Sequence, residues 1–119
     1  METLLVFRDL SDFPTANILL RKHWSFRDKL KTNLSWKIKQ QARSKHSGKV
    51  RITFYRFACQ LQDWDNHCSS FKVCGDALTA CGVISDDNPS IVVEFIPKQE
   101  RVKKREEEKI VVKIEDIFS

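Results

Sequence analysis

Three kinds of pattern are missing from this sequence: a C-x-x-C pair, a long apolar run, and a leader with charged and then apolar residues. Without a long apolar run there is no segment to span a membrane, and without a leader the protein is expected to be soluble and cytoplasmic. The cysteines stand at no metal-ligand spacing, which argues against a zinc site or a disulfide framework: Cys59, Cys68, Cys74 and Cys81. At 119 residues, the chain (1–119) is predicted to be a single domain with one core.

Acidic residues are almost missing from one part of the chain. Residues 21–51 contain eleven lysines or arginines and one acid, Asp28, which gives this part a charge of +10. The whole chain has a net charge of +5, so the remainder carries −5. A basic first half beside an acidic second half suggests attraction of phosphates next to coordination of a cation. A nuclease needs this combination.

The most informative stretch is the 63–87 segment, DWDNHCSSFKVCGDALTACGVISDD. Asp65 and Asn66 are good N-cap residue types and Gly82 suits a left-handed residue after a helix, so a helix is predicted between them. Lys72 is predicted to project on the same side as the acidic start of this helix. Apolar residues at spacings of three and four predict one buried face, formed by Cys68, Phe71, Cys74, Leu78 and Cys81.

Four carboxylates lie at the two ends of this segment: Asp63, Asp65, Asp86 and Asp87. A loop after Gly82 is expected to fold the second pair back toward the first, and clustered carboxylates repel one another unless a cation or a lysine compensates them. Oxygen ligands without a matching Cys or His pattern suit Mg²⁺, or Mn²⁺, rather than zinc. A second interpretation stays open, in which the segment is only a capped helix followed by an Asp-rich turn.

Periodicity predicts the other elements. A helix over about 25–45 is indicated by Leu30, Leu34, Ile38 and Ala42, which recur every four residues. Its basic side chains lack acidic partners at i, i+4, which favours contact with phosphates over simple solvation. The side chains of this helix that we expect to contact DNA are Lys31, Lys37, Lys39 and Arg43.

Short apolar runs predict strands over 4–7, 90–96 and 110–114. Alternation with β-branched and aromatic residues predicts a strand over 49–61, which delivers Asp63 and Asp65 at its end. The charged run 98–109 is predicted to be a long, mobile hairpin tip, and contact of its basic residues with DNA stays open. These elements give an α/β (α+β) domain in the order β-α-β-α-β-β, with a mixed sheet packed by two helices.

The order D-W-D-N, F-K, G-D-A-L and C-G-V-I-S-D-D resembles the signature of the RusA family of Holliday-junction resolvases, from bacteria and their phages. The family pattern is D-x-D-N, a helix with a lysine and then D-A/G-L, and G-[VI]-x-x-D-D. The lysine follows the D-x-D-N at a shorter or a longer spacing, and this chain has the longer one. The resemblance covers residues 14–95. It implies a RusA-like fold and a Mg²⁺-dependent crossover-junction endodeoxyribonuclease of DNA recombination and repair, which acts on four-way junctions as a homodimer.

Residue by residue, the resemblance implies that Asp63, Asp65 and Asp87 are catalytic and hold the metal, with Asp86 in support. Lys72 would stabilise charge on the phosphoryl oxygens or orient the attacking water. An N-terminal motif also matches, in a loop that lies near the DNA in the family, at Asn17, Arg21, Lys22, His23 and Trp24.

The sequence departs from the family pattern at a few positions. His67 stands where the family usually has an aliphatic residue, which puts the local packing rather than the chemistry in question. Gln62 precedes the first aspartate where some members carry arginine, and Gly75 lowers the helix propensity of the segment. Two other functions stay open: a nuclease of the same fold that acts on flaps or other branched DNA, and a DNA-binding protein in which the acids are structural.

Overall fold

A four-stranded mixed sheet forms the centre of the structure, a computed structural model that describes residues 1–117. The sheet pairs in the order β1-β4-β2-β3, with β2 and β3 parallel and β4 antiparallel to both of its neighbours. The predicted α/β (α+β) class is confirmed. The strands are β1 (Glu2–Phe7), β2 (Val50–Ala58), β3 (Val92–Arg101) and β4 (Lys109–Asp116).

Each of the two helical connections consists of two helices instead of the single one predicted. Between β1 and β2 lie α1 (Ala16–Arg21) and α2 (Trp24–Gln41), and between β2 and β3 lie α3 (Trp64–Ser69) and α4 (Lys72–Ala80). A helical crossover returns the chain to the same end of the sheet, which is why β2 and β3 are parallel. Among the described residues, no helix is both long and apolar enough to cross a membrane.

The core lies between one face of the sheet and helices α2 and α4, which pack on each other. Leu30, Leu34 and Ile38 of α2 are buried, as the four-residue spacing predicts. They meet alternate residues of the strands, such as Ile52 and Phe54 of β2. Each such side chain contributes about 1.5–3 kcal/mol when it is fully removed from water.

The charged run 98–109 is not a hairpin tip, and that prediction is wrong. Its first residues extend β3 beyond Pro97 to Arg101, which is possible because β3 is an edge strand and need not donate a hydrogen bond on its outer side. β3 and β4 lie on opposite sides of β2, so the connection crosses the end of β2. There Val102 N–H donates to the carbonyl of Ala58 at 3.0 Å.

Two buried polar side chains, in the loops after β1 and after α2, make hydrogen bonds to distant parts of the domain. Asp12, in the turn after β1, is 5% exposed; it accepts from Asn33 Nδ2 at 2.9 Å and pairs with the ammonium of Lys37. The second group is His46, in the loop after α2. Its Nδ1 lies 2.7 Å from Asp116 Oδ1 and its Nε2 lies 2.7 Å from the hydroxyl of Thr3. Both networks join residues that are far apart in the sequence.

Candidate functional site

The 63–87 segment folds as two short helices because two serines compete with the helical hydrogen bonds. Ser69 Oγ donates to the carbonyl of Asn66 at 3.1 Å, and Ser70 Oγ donates to that of His67 at 2.7 Å. Side chains that bond back to the backbone in this way weaken a helix. Lys72 begins α4, so the periodicity of α3 does not set its direction, and the common side predicted for Asp65 and Lys72 stays a prediction.

The chain turns back after α4 at Gly82, as predicted. Gly82 has a φ of +74°, which is accessible to glycine at little cost. Its N–H donates to the carbonyl of Thr79, and Val83 N–H donates to that of Leu78, both at 3.0 Å. This pair of bonds is a Schellman motif. The turn sends the chain back along the helix, so that Asp87 reaches the side chain of Lys72.

Four charged side chains, here called the charged cluster, meet at this point: Arg27, Lys72, Asp76 and Asp87. Lys72 Nζ lies 3.4 Å from Asp76 Oδ1 and 3.7 Å from Asp87 Oδ2. Arg27 Nη2, from α2, lies 3.3 Å from Asp76 Oδ2. All four are partly or largely exposed, and such pairs contribute at most about 1 kcal/mol each to stability. Arg27 carries no signal in the sequence, because only the packing of α2 on α4 brings it here.

A cleft of about 790 Å³ adjoins the charged cluster. Its walls come from α1, α2, the region of α3 and α4, the loop before β3 and β3 itself. Its charged lining residues are Arg27, Lys72 and Asp87. Most of the remaining lining is apolar and includes Leu19, Leu20, Phe71, Val92 and Phe95. Sequence periodicity gave no sign of this cleft, since its residues are drawn from separate elements.

The acidic start of the segment lies at the N-terminus of α3. The helix begins earlier than predicted, with Asp63 rather than Asp65 or Asn66 in the N-cap position. The side chain of Asp63 makes no capping hydrogen bond, and Asp65 lies in the first turn. Both are exposed, and within residues 1–117 neither carboxylate has a hydrogen bond or an ion pair. Side-chain capping therefore does not account for Asp63.

The two acids after α4 differ in their surroundings, although they are neighbours in the sequence. Asp86 accepts from the N–H of Asp87 at 2.7 Å and from Asn88 Nδ2 at 3.0 Å, so both of its oxygens are used within its own turn. The carboxylate of Asp87 instead faces Lys72. Of the pair, Asp87 is the residue with a place in the candidate site, and Asp86 shapes the turn that presents it.

The residues proposed to hold a metal fit a hard cation by their donor chemistry. Asp63, Asp65 and Asp87 offer carboxylate oxygens, which Mg²⁺ and Mn²⁺ prefer, and the first two have no other partner within residues 1–117. Across that range, however, no three or more His, Cys, Asp or Glu side chains are arranged to hold a metal ion. The Mg²⁺ site therefore stays a prediction.

The candidate DNA contacts in the N-terminal motif lie at the surface of α1 and of its junction with α2. Trp24 is 70% exposed and does not anchor α2 in the core. His23 has a structural role as the N-cap of α2, because its Nδ1 accepts from Ser25 N–H at 3.2 Å. The remaining candidates are all exposed: Asn17, Arg21 and Lys22.

The candidate DNA contacts of the basic helix are not equivalent. Lys37 is paired with the buried carboxylate of Asp12, so its charge is already compensated. Arg43 is exposed but lies beyond the helix, because α2 ends at Gln41. Lys31 and Lys39 line a groove together with Asp28 and with Trp36, which is 65% exposed. Trp36 was not among the predicted contacts, although an aromatic residue among lysines is typical of nucleic-acid-binding surfaces.

His67, which stands where the RusA family usually has an aliphatic residue, is buried in the core. Its ring stacks on Phe54 with centroids 4.5 Å apart, and its Nε2 donates to the carbonyl of the same residue at 3.1 Å. Burial lowers the pKa of His67, which favours the neutral imidazole.

The buried face predicted for the 63–87 segment is wrong at Cys68, which is exposed. It is correct at Cys74, which is buried and whose thiol pKa is raised by that burial.

No protein-family model matches this chain, and no curated protein matches it either. The resemblance to the RusA family therefore depends on the motifs of the 63–87 segment and of the N-terminal region alone. The geometry defines a charged cluster beside an apolar cleft, at one end of a strongly basic helical region. The class of protein stays a prediction.

Proposed function

We propose that this protein is a RusA-like, metal-dependent endodeoxyribonuclease that cuts four-way DNA junctions. The observation that supports this most is the 3.7 Å approach of Lys72 Nζ to Asp87 Oδ2. Lys72 begins α4 and Asp87 follows the turn after this helix, and a shared catalytic site requires that the two motif residues meet.

The charge distribution supports a polyanionic substrate. The charged cluster belongs partly to α2, because Arg27 projects from this helix. The same helix carries Lys31 and Lys39, which have no ion pair within residues 1–117. Positive charge of this kind attracts the phosphate backbone of DNA and steers it toward the site.

Each residue of the site has a role in this proposal. Asp63, Asp65 and Asp87 would hold Mg²⁺, which when bound polarises the scissile phosphate and lowers the pKa of the attacking water. The ammonium of Lys72 donates to the phosphoryl oxygens, where negative charge increases in the transition state. Asp76 holds Lys72 on the side of α4 that faces Asp87.

A homodimer suits this substrate. A four-way junction presents two equivalent strands, and a two-fold symmetric dimer places one active site at each of them. The protein would act in the cytoplasm on junctions formed during recombination. A species near twice the chain mass of 13.9 kDa is the expected result in light scattering.

The decisive experiment compares cleavage of a fixed synthetic four-way junction with that of linear and flap DNA, with and without Mg²⁺. The junction should be cut in opposed strands only when Mg²⁺ is present. Asp65→Asn should lose this cleavage, whereas Asp28→Asn, at another exposed acid, should keep it.

Two results would count against the proposal. Full activity of Asp65→Asn at saturating Mg²⁺ would remove this carboxylate from the site. Metal-dependent cutting of flaps but not of junctions would assign the nuclease to another branched DNA, and junction binding without any cleavage would indicate a DNA-binding protein.

A further inference from the structure

The apolar cleft beside the charged cluster has no role in the mechanism above. Its volume of about 790 Å³ lies in the range of small-molecule sites in proteins. Leu20, on its α1 wall, is 84% exposed, so this wall is not covered by any described part of the chain. The cleft is therefore open to a ligand from outside.

The cleft offers two aromatic rings whose positions are fixed by the core. Phe71 and Phe95 have centroids 5.1 Å apart with planes inclined at 52°, and Phe71 also packs edge-on against buried Phe54 at 5.0 Å. Both are half-buried, and both line the cleft. A flat apolar group that enters the cleft thus meets aromatic surfaces that are already held in place.

The charged lining residues restrict the kind of ligand further. Arg27 and Lys72 supply positive groups beside the apolar walls, and Asp76 and Asp87 balance them within the charged cluster. Asp76 does not line the cleft, so the charged lining itself, Arg27, Lys72 and Asp87, carries one net positive charge. A ligand with a flat apolar part and one anionic group matches this combination.

We propose that the cleft receives one unstacked nucleobase of the branched DNA, with the attached phosphate against Lys72 and Arg27. This inference rests on the proposed function. Bases at a branch point are easier to unstack than those inside a duplex, because in the open junction they lack a stacked neighbour on one side. Aromatic rings accept any base by stacking, so the cleft would select the unpaired position rather than the sequence.

The experiment uses a four-way junction with 2-aminopurine placed in turn at each position next to the branch, and Mg²⁺ is omitted to prevent cleavage. The fluorescence of 2-aminopurine rises when the base leaves the stack. Binding of the wild-type protein should raise it at one position. Ala16→Phe, which adds a ring at an exposed residue lining the cleft, should abolish the rise and weaken junction binding about tenfold.

Matched variants on α1 provide the controls. Ile18→Phe makes a similar addition at an exposed residue outside the cleft lining, and it should leave both the fluorescence rise and the affinity unchanged. Leu20→Ala, which shortens one wall of the cleft at an exposed position, should reduce the rise without affecting folding.

The possible failures can be told apart. A bound junction without any rise at any position overturns the cleft inference alone, as does a rise that Ala16→Phe leaves intact. A change from dimer to monomer in Ala16→Phe would also overturn it, because the cleft would then hold a second copy of the chain. No binding of the junction by the wild-type protein would overturn the proposed function itself.

Discussion

The carboxylates of the 63–87 segment fall into two groups with opposite surroundings. At the start of α3, Asp63 and Asp65 are exposed and have no partner within residues 1–117. In the charged cluster, Asp76 and Asp87 are compensated by Lys72 and Arg27. Under the proposed function, carboxylates of the first kind would hold the cation together with Asp87, and the lysine of the second group would donate to a phosphate. Phosphodiester hydrolysis would then need both groups.

The largest effect on cleavage is expected at the two aspartates without a partner within residues 1–117, Asp63 and Asp65. Asp63→Asn should lower junction cleavage by orders of magnitude, because it removes one ligand charge, while the free energy of unfolding should change by less than about 0.5 kcal/mol. Mg²⁺ binding measured by calorimetry should weaken in parallel, and junction binding should persist or tighten because a negative charge has been removed. A variant that cuts normally would show that the two groups do not belong to one site.

The second prediction concerns Lys72, in the charged cluster. Lys72→Ala should slow cleavage about 100-fold, as loss of one donor to a developing oxyanion typically does. Mg²⁺ affinity should be spared, which separates Lys72 from the aspartates. Single-turnover cleavage and calorimetry measure the two quantities.

Lys113→Ala is the matched control for that experiment, because Lys113 is also paired with two acids, Glu2 and Glu115, but lies on the sheet away from the cluster. It should leave the cleavage rate unchanged. An equal loss of activity in both variants would mean that Lys72 acts only through the general charge of the protein.

The same contrast between paired and unpaired groups applies to the lysines of α2. Replacing Lys31, Lys39 and Arg43 by alanine should flatten the dependence of log affinity on log salt concentration by about 3 units, with little change in stability. Lys37→Ala should instead leave this slope nearly unchanged. It should destabilise the fold by about 2 kcal/mol, because the buried carboxylate of Asp12 loses its partner. The opposite pattern would place the DNA on the Lys37 side.

Local patterns predicted the elements whose structure is set by neighbours in the chain. The buried face of α2, the central strand β2 and the turn at Gly82 are all as expected. Each depends on a short-range rule: a spacing of three to four residues, alternation, or a glycine with positive φ. The interruption at Ser70 is also local, but periodicity ignores hydroxyls that bond to the backbone, and the segment was predicted as one helix.

The parts that the sequence did not predict depend on distant residues. Arg27 reaches Asp76 across 49 positions, and the walls of the cleft come from elements on both sides of β2. The connection from β3 to β4 was predicted to be a mobile hairpin tip because of its charged composition. The insertion of β4 between β1 and β2 prevents this, and only the whole sheet determines that order.

Asp116 is a third kind of carboxylate, because its partner, His46, is buried. Asp116 accepts a hydrogen bond from His46, whose side chain is fully buried, and it lies 3.6 Å from the N-terminal ammonium of Met1. The hydrogen bond from His46 is the main reason that the pKa of Asp116 is held below its ordinary value. Unlike Asp63, this carboxylate is part of the structure and has no candidate role in catalysis.

The smallest effect is therefore a pH dependence of stability at Asp116. Because its pKa is depressed in the folded state, its contribution is complete above the unfolded value of about 3.9 and is lost as the pH falls through the folded value. The Tm of the wild-type protein should fall more steeply than that of Asp116→Asn between about pH 5 and pH 3. Asp63→Asn, which alters a carboxylate without a partner in residues 1–117, should show the wild-type slope. Equal slopes in wild type and Asp116→Asn would mean that the His46 contact does not stabilise the ionised carboxylate.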